Sequence, residues 1–237
     1  MSLDDLRRDV ADGCRVLAAR ELAPGFLGHI SVRVDETRLL VRCRGARERG
    51  LAHTTRADIR LVDLDGNAAA PGELDGYAVP FELPLHTAVL RRRPDVDVVV
   101  HAHPRDVVVA DLAGLPILPI VGAYDIPGAV LAAGGVPVFP RSALVSTPAL
   151  GDAVAEALGE RPVVVMRGHG LTSTGSSVAE AVLRAQAVAT LASLSLDVVR
   201  AGGELVPISA DDLAALPDLG GALNLGTAWR HELARLA

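Results

Sequence analysis

Hydrophobic and polar positions along the chain switch between helical and alternating spacing, and the switches mark its elements. From Leu3 to Leu22, apolar side chains fall at Leu6, Val10, Cys14, Val16 and Leu17 with charges between, which predicts a helix stopping near Pro24-Gly25. Gly28 to Val34 alternates like a strand, Asp35-Glu36 turns, and Leu39 to Cys43 returns, so a hairpin is expected. Ile59 to Leu64 is a further strand closed by Asp65-Gly66, and residues 67–76, rich in Gly, Pro and Ala, read as a loop. A helix starting near Glu82 tolerates Pro84 in its first turn and ends on Arg91-Arg92-Arg93, charges suited to a C-terminus.

Beyond Pro94, the run Asp97-Val-Val-Val-His101-Ala-His103-Pro104 reads as a buried strand. A helix is expected over Arg105 to Leu112, and an edge strand or extended loop over Leu115 to Val121, which holds two prolines. Ala129 to Ala133 follows a loop containing Tyr124, and Val136 to Phe139 is a short strand. Thr147 is placed to cap a helix running to Leu158, with Pro148 at its first position. Pro162 to Met166 is an apolar strand leading to Gly168-His169-Gly170. A long helix is expected from the Thr174-Gly175 segment through Arg200, ended by Gly202-Gly203, and a short one in the tail with Trp229 and His231. Hairpins dominate the first half and strands alternate with helices later. The pattern therefore predicts one mixed α/β domain over residues 1–237, its largely antiparallel sheet covered by helices.

Composition narrows the chemistry. Half of the 237 residues are hydrophobic but only 3% are aromatic, so the core must be built of Val, Leu, Ala and Ile. A net charge of -6 argues against a nucleic-acid partner, which would want a basic face. Two cysteines, Cys14 and Cys43, make no disulfide framework and suit a reducing cytoplasm. The N-terminus lacks an apolar signal core, and the most apolar region, 112–140, is too broken by Pro and Gly for a membrane helix. Every one of the 23 basic residues is arginine. Without lysine there is no Schiff-base chemistry, no pyridoxal-phosphate anchor and no Walker A loop. For an enzyme acting on carbonyl or carboxylate carbon, a metal is the remaining electron sink.

Three groups of residues carry that chemistry. On a strand, His101 and His103 point the same way and can share one ion. His169, after a second apolar strand and between glycines, is the third ligand, which leaves the open position a catalytic site needs. Glu82 and His86, four apart on the preceding helix, share a face; Glu82 reads either as a helix-dipole acid or as the acid/base beside the metal. The stretch Arg42-Cys-Arg44-Gly45-Ala-Arg47-Glu-Arg49-Gly50 reads either as a solvated charged loop or as a clamp for a carboxylate.

In this order, Gly28-His29-Ile-Ser31-Val-Arg33, Asp63-Leu-Asp-Gly66, Glu82-x-x-x-His86, Arg93-Pro-Asp95, Val100-His-Ala-His-Pro104, Gly168-His-Gly170 and the segment from Gly175 resemble the class II aldolase/adducin family. The resemblance implies a three-layer α/β/α fold and a four-fold tetramer with active sites at subunit interfaces. It implies a divalent ion (zinc, or manganese, cobalt or iron) on His101, His103 and His169, with Glu82 as acid/base. It also implies a tyrosine donated by the neighbouring subunit, for which Tyr124 is the nearest match. The family's substrate pocket falls on His29, Ser31, Arg44, Gly45 and Phe81. Sugar-phosphate aldolases of the family carry small polar residues where this chain has His29, Arg44, Pro80 and Phe81, so a phosphorylated sugar is disfavoured and a carboxylate favoured. The arginine stretch is similar to family members that decarboxylate dihydroxylated phthalates.

These readings converge on a carbon–carbon lyase for a non-phosphorylated, carboxylate-bearing, hydroxylated small molecule. In it the ion acts as a Lewis acid, an arginine holds a carboxylate, and Glu82 moves the proton with a pKa raised beside Phe81. Decarboxylation is the first reading; the alternatives are a class II aldolase cleaving a hydroxy-keto acid or sugar (phosphate), and a metal-free, adducin-like binding module, which the three ligands and Glu82 disfavour. His29 either contacts substrate or caps the hairpin.

Overall fold

The computed structural model describes residues 2–219 and 222–236. Its first helix, α1 (Leu3–Ala19), starts on a reciprocal cap in which Ser2 Oγ accepts the Asp5 amide and the Asp5 carboxylate accepts from Ser2. It stops earlier than the sequence pattern suggests, because Arg20 and Glu21 close the last turn and Glu21 takes a positive φ.

The strands are β1 (His29–Arg33), β2 (Arg38–Arg42), β3 (Arg44–Gly45), β4 (Ile59–Asp63), β5 (Tyr77–Ala78), β6 (Val98–Ala102), β7 (Val138–Phe139), β8 (Val163–Met166) and β9 (Gly170–Gly175). Seven form one sheet in the order β4-β2-β1-β6-β9-β8-β7, antiparallel except where β7 meets β8; β3 and β5 make a separate ribbon. The remaining helices are α2 (Leu83–Arg92), α3 (Arg105–Leu112), α4 (Ile126–Ala133), α5 (Pro148–Leu158), α6 (Val178–Arg200), α7 (Ala210–Ala215) and α8 (Ala228–Ala234).

Strand alternation sends side chains to two different cores. Ile30, Val32, Val98, Val100, Val163 and Val165 face α1, α3, α4 and α6. Leu39, Val41, Val99, Val164 and Met166 face α2 and α5. The architecture is thus three-layer α/β/α around a mostly antiparallel sheet. By length and apolar composition alone α6 could cross a membrane, but here it packs Ala181, Ala185, Val188 and Leu191 into the first core.

β9 departs from the sequence expectation, which began a helix at Thr174; that helix starts only at Val178. Gly170-Leu-Thr-Ser-Thr-Gly175 lacks the apolar alternation of a strand, yet it is buried throughout. Its hydroxyls have partners inside the protein: Ser173 donates to the Ala181 carbonyl and Thr174 to the Pro162 carbonyl. A buried polar strand is stable when its polar groups are paired.

Two devices set α2, and with it the site. Arg33 donates to the carbonyls of Leu90, Arg93 and Val96, fastening the C-terminal end of α2 to the end of the interior strand β1. At the other end, α5 approaches so closely at Gly151 that a Cβ there would lie 2.3 Å from the Pro84 carbonyl oxygen.

Candidate metal centre

The face of the sheet under α2 carries a buried polar patch. His29 pairs with His101 across β1 and β6, and His101 pairs with Thr172 across β6 and β9. All three lie on the central strands, where an imidazole is exposed only to what the neighbouring layer presents.

His101 is fully buried, and its Nδ1 donates to the Leu171 carbonyl at 3.0 Å. A carbonyl can only accept, so Nδ1 carries a proton and, in the neutral ring a metal ligand requires, Nε2 carries the lone pair. That lone pair faces His103 Nε2 at 2.8 Å and Glu82 Oε2 at 3.3 Å. The His169 ring stands 4.9 Å, centroid to centroid, from both His101 and His103, with its Nε2 3.7 Å from Glu82 Oε1. One donor atom from each of Glu82, His101, His103 and His169 lies within 4.8 Å of every other.

Burial, then the neighbouring His101 and His169, lowers the pKa of His103 to about 3; burial and His101 also lower that of His169. Both rings are therefore neutral at physiological pH, as ligands must be. Converging nitrogen lone pairs beside a carboxylate repel unless a cation lies among them, so this donor set fits a divalent ion.

Glu82 immediately precedes α2 and accepts the Val145 amide at 3.0 Å. Burial opposes its ionisation, but a proton on His101 facing it, the Val145 amide and a protonated His169 outweigh it and bring its pKa down to about 2; a cation held on the neutral imidazoles would act on it in the same sense. The raised pKa expected from Phe81 is not found: that side chain is 76% exposed and does not enclose the carboxylate.

Behind the centre, His86 is fully buried between His29 and Ser31. His29 Nδ1 lies 2.6 Å from His86 Nε2, and Ser31 Oγ lies 2.7 Å from His86 Nδ1. Burial above all, then nearby histidines, lowers the pKa of His86 to about 3 and that of His29 well below its usual value. His29 Nε2 is left 3.9 Å from Glu82 Oε2. Ser31 is itself fully buried behind His86.

The arginines part company. Arg42 is buried and committed to Glu48 and Thr54. Arg44 is half-buried over the Phe26 ring, close enough that its charge helps depress His29. Arg47 and Arg49 are exposed. Gly45 packs under Tyr77, whose ring a Cβ would meet at 2.8 Å. Tyr124 is 76% exposed; it borders a separate cleft shared with α4, α6 and α8, away from this cluster. The Leu171 carbonyl and the Val145 amide, which orient His101 and Glu82, escaped sequence reading because a backbone group carries no sequence signature.

The family model described as Class II Aldolase and Adducin N-terminal domain matches residues 8–196. A 3,4-dihydroxyphthalate decarboxylase from Terrabacter sp. is 64% identical over 97% of this chain and 96% of its own length. A second, from Rhodococcus jostii, is 55% identical over 99% and 97%. Among solved structures, an aldolase II superfamily protein from Pseudomonas syringae superposes with a TM-score of 0.78 at 22% identity, covering 98% of this chain and 93% of that one.

Proposed function

Because this chain belongs to the class II aldolase and adducin family, we propose that it is a divalent-metal-dependent decarboxylase of a dihydroxylated phthalate, with 3,4-dihydroxyphthalate as substrate. The observation that carries this reading is the convergence of three imidazoles and one ionised carboxylate on a single point. It speaks against a metal-free binding module, and the decarboxylase relatives favour loss of CO2 over aldol cleavage.

In this reading His101, His103 and His169 hold the ion. When bound, it supplies Lewis acidity, a sink for the negative charge on the substrate oxygens as the C–C bond breaks. Imidazole donors with an open position favour zinc; manganese, cobalt and iron are the other candidates.

The chain's own residues manage charge and protons. Glu82, ionised at rest, takes the proton of the substrate hydroxyl beside the departing carboxylate. The carbon–carboxylate bond breaks, its electron pair stays with the ring, and CO2 leaves. Glu82 returns its proton to that ring carbon, and solvent reprotonates the hydroxyl oxygen, so one proton is consumed per CO2 released. Arg44 holds the carboxylate that remains. His29, anchored by His86 and Ser31, offers Nε2 to an anionic oxygen, and Gly45 and Phe81 shape the mouth of the pocket. We further propose a homotetramer in the cytoplasm, in which Tyr124 serves the site of a neighbouring subunit, and we read the whole chain as one domain.

The test is metal analysis of the purified protein and of a His101→Ala, His103→Ala variant, with CO2 release from 3,4-dihydroxyphthalate followed in both. About one divalent ion per chain, lost together with turnover in the variant, is expected. Wild-type protein that takes up no metal on reconstitution, or binds it and releases no CO2, rules the proposal out.

A further inference from the structure

The imidazoles of the centre are not all aimed by the same means. His101 has its own orienting partner, the Leu171 carbonyl. His169 has only a weak one: its buried Nδ1 makes no hydrogen bond of ordinary geometry among the described residues, and the Ala143 backbone is the group nearest to supplying one. A ligating imidazole is ordinarily aimed by an acceptor on its second nitrogen. The aim of His169 therefore depends on the backbone that carries it.

That backbone is the turn between β8 and β9, closed by the His169 amide on the Met166 carbonyl. Gly168 sits in it at φ +59°, a conformation that side chains other than glycine rarely adopt. Two side chains from elsewhere fasten the turn. Ser142 Oγ donates to the Arg167 carbonyl at 2.8 Å. Asp111 accepts the Gly168 amide on Oδ2 at 2.7 Å and Arg167 Nε on Oδ1 at 3.0 Å. The Asp111 side chain is only 4% exposed and lies on α3, which begins two residues after His103. One buried carboxylate thus ties the segment following His103 to the segment preceding His169.

We propose that Asp111 is a positioning residue of the metal centre, fixing the 167–168 backbone so that His169 points at His101 and His103. The inference rests on reading the cluster as a metal site, and its test measures metal binding rather than turnover. Full-length protein stripped with a chelator is titrated with cobalt(II), for wild type, Asp111→Ala and Asp111→Asn. Affinity, the visible spectrum of the bound ion and the unfolding curve of the metal-free protein are all recorded.

Asp111→Ala is expected to weaken cobalt binding by about 10–100-fold and to change the spectrum, because His169 no longer completes the set. Asp111→Asn keeps an oxygen for the Gly168 amide and is expected to lose less. A residue needed only for folding would shift the metal-free unfolding curve and leave affinity and spectrum unchanged in folded protein; that result overturns the proposal. Should Asp111→Ala not fold, Asp111→Ser, which lacks the carboxylate, takes its place, and wild-type affinity and spectrum in that variant overturn the proposal equally. Wild-type protein that binds no cobalt overturns the metal reading itself, and this inference with it.

Discussion

His29 Nδ1 accepts a hydrogen bond from His86 Nε2, 2.6 Å away, and the direction of that bond follows from Ser31. Among the described residues the Ser31 hydroxyl has no acceptor other than His86 Nδ1, so it donates there. His86 then carries its proton on Nε2 and gives it to His29 Nδ1, which leaves His29 with its N–H on Nε2, facing the ionised Glu82. Three buried side chains thereby fix a donor at the edge of the reaction chamber. His29→Ala should lower kcat/KM by about 1.5–3 kcal/mol in transition-state terms, the range for hydrogen bonds to charged groups. Steady-state kinetics on 3,4-dihydroxyphthalate would show it; kinetics equal to wild type would assign His29 to the hairpin alone.

Glu82→Gln removes the proposed proton carrier and leaves the three imidazoles. Loss of general acid–base catalysis should reduce kcat by about 10²–10⁴-fold, with metal content by elemental analysis unchanged. Undiminished turnover would take the acid/base role away from Glu82.

Arg42 and Arg44 should respond to substitution in opposite ways, although the sequence presents them as a pair. Arg44→Ala is expected to raise KM for a dicarboxylated substrate with little change in the unfolding midpoint. Arg42→Ala leaves the part-buried Glu48 without its guanidinium, and should cost about 1–3 kcal/mol of stability in denaturant titrations. The reverse pattern would move the carboxylate clamp to Arg42.

Alkaline stability reports on the thiols. Burial pushes Cys14 and Cys43 up to about 12 from an ordinary value of 9.0. Above pH 9 the unfolded chain loses these protons while the folded chain keeps them, so stability falls as pH rises from about 9 towards 12. Between pH 9 and 10.5 each thiol should contribute a loss of about 2 kcal/mol. Urea unfolding at the two values, in wild type and in a Cys14→Ala, Cys43→Ala variant, checks this. An equal slope in both proteins would trace the loss to other groups.

Legibility from sequence followed the range over which each signal acts. His101-x-His103, the Glu82 helix start and the Thr147 cap are local patterns, and the structure places each where its spacing indicates. β9 was hidden because its burial depends on hydroxyl partners in α6 and the β8 approach. The commitment of Arg42 was hidden because only the fold of the 43–54 segment turns Glu48 and Thr54, six and twelve residues on, back against it. Asp111 looks like any polar position of a short helix; only the fold brings the 167–168 turn, 56 and 57 residues on, against it.

The placement of the centre on β1, β6 and β9 also has a kinetic meaning. The hydrogen bond that aims His101 spans 70 residues, and the His29–His86 contact spans 57. Contacts so distant in sequence form only after long loops have closed, so they belong to the slow, non-local part of folding. An ion held by all three imidazoles, as proposed, would find them only on a finished sheet. It would not nucleate this protein as zinc nucleates a finger; it would stabilise the chain once folded. Newly made chains must reach the native topology unaided, and metal scarcity should then leave folded, inactive protein rather than aggregates.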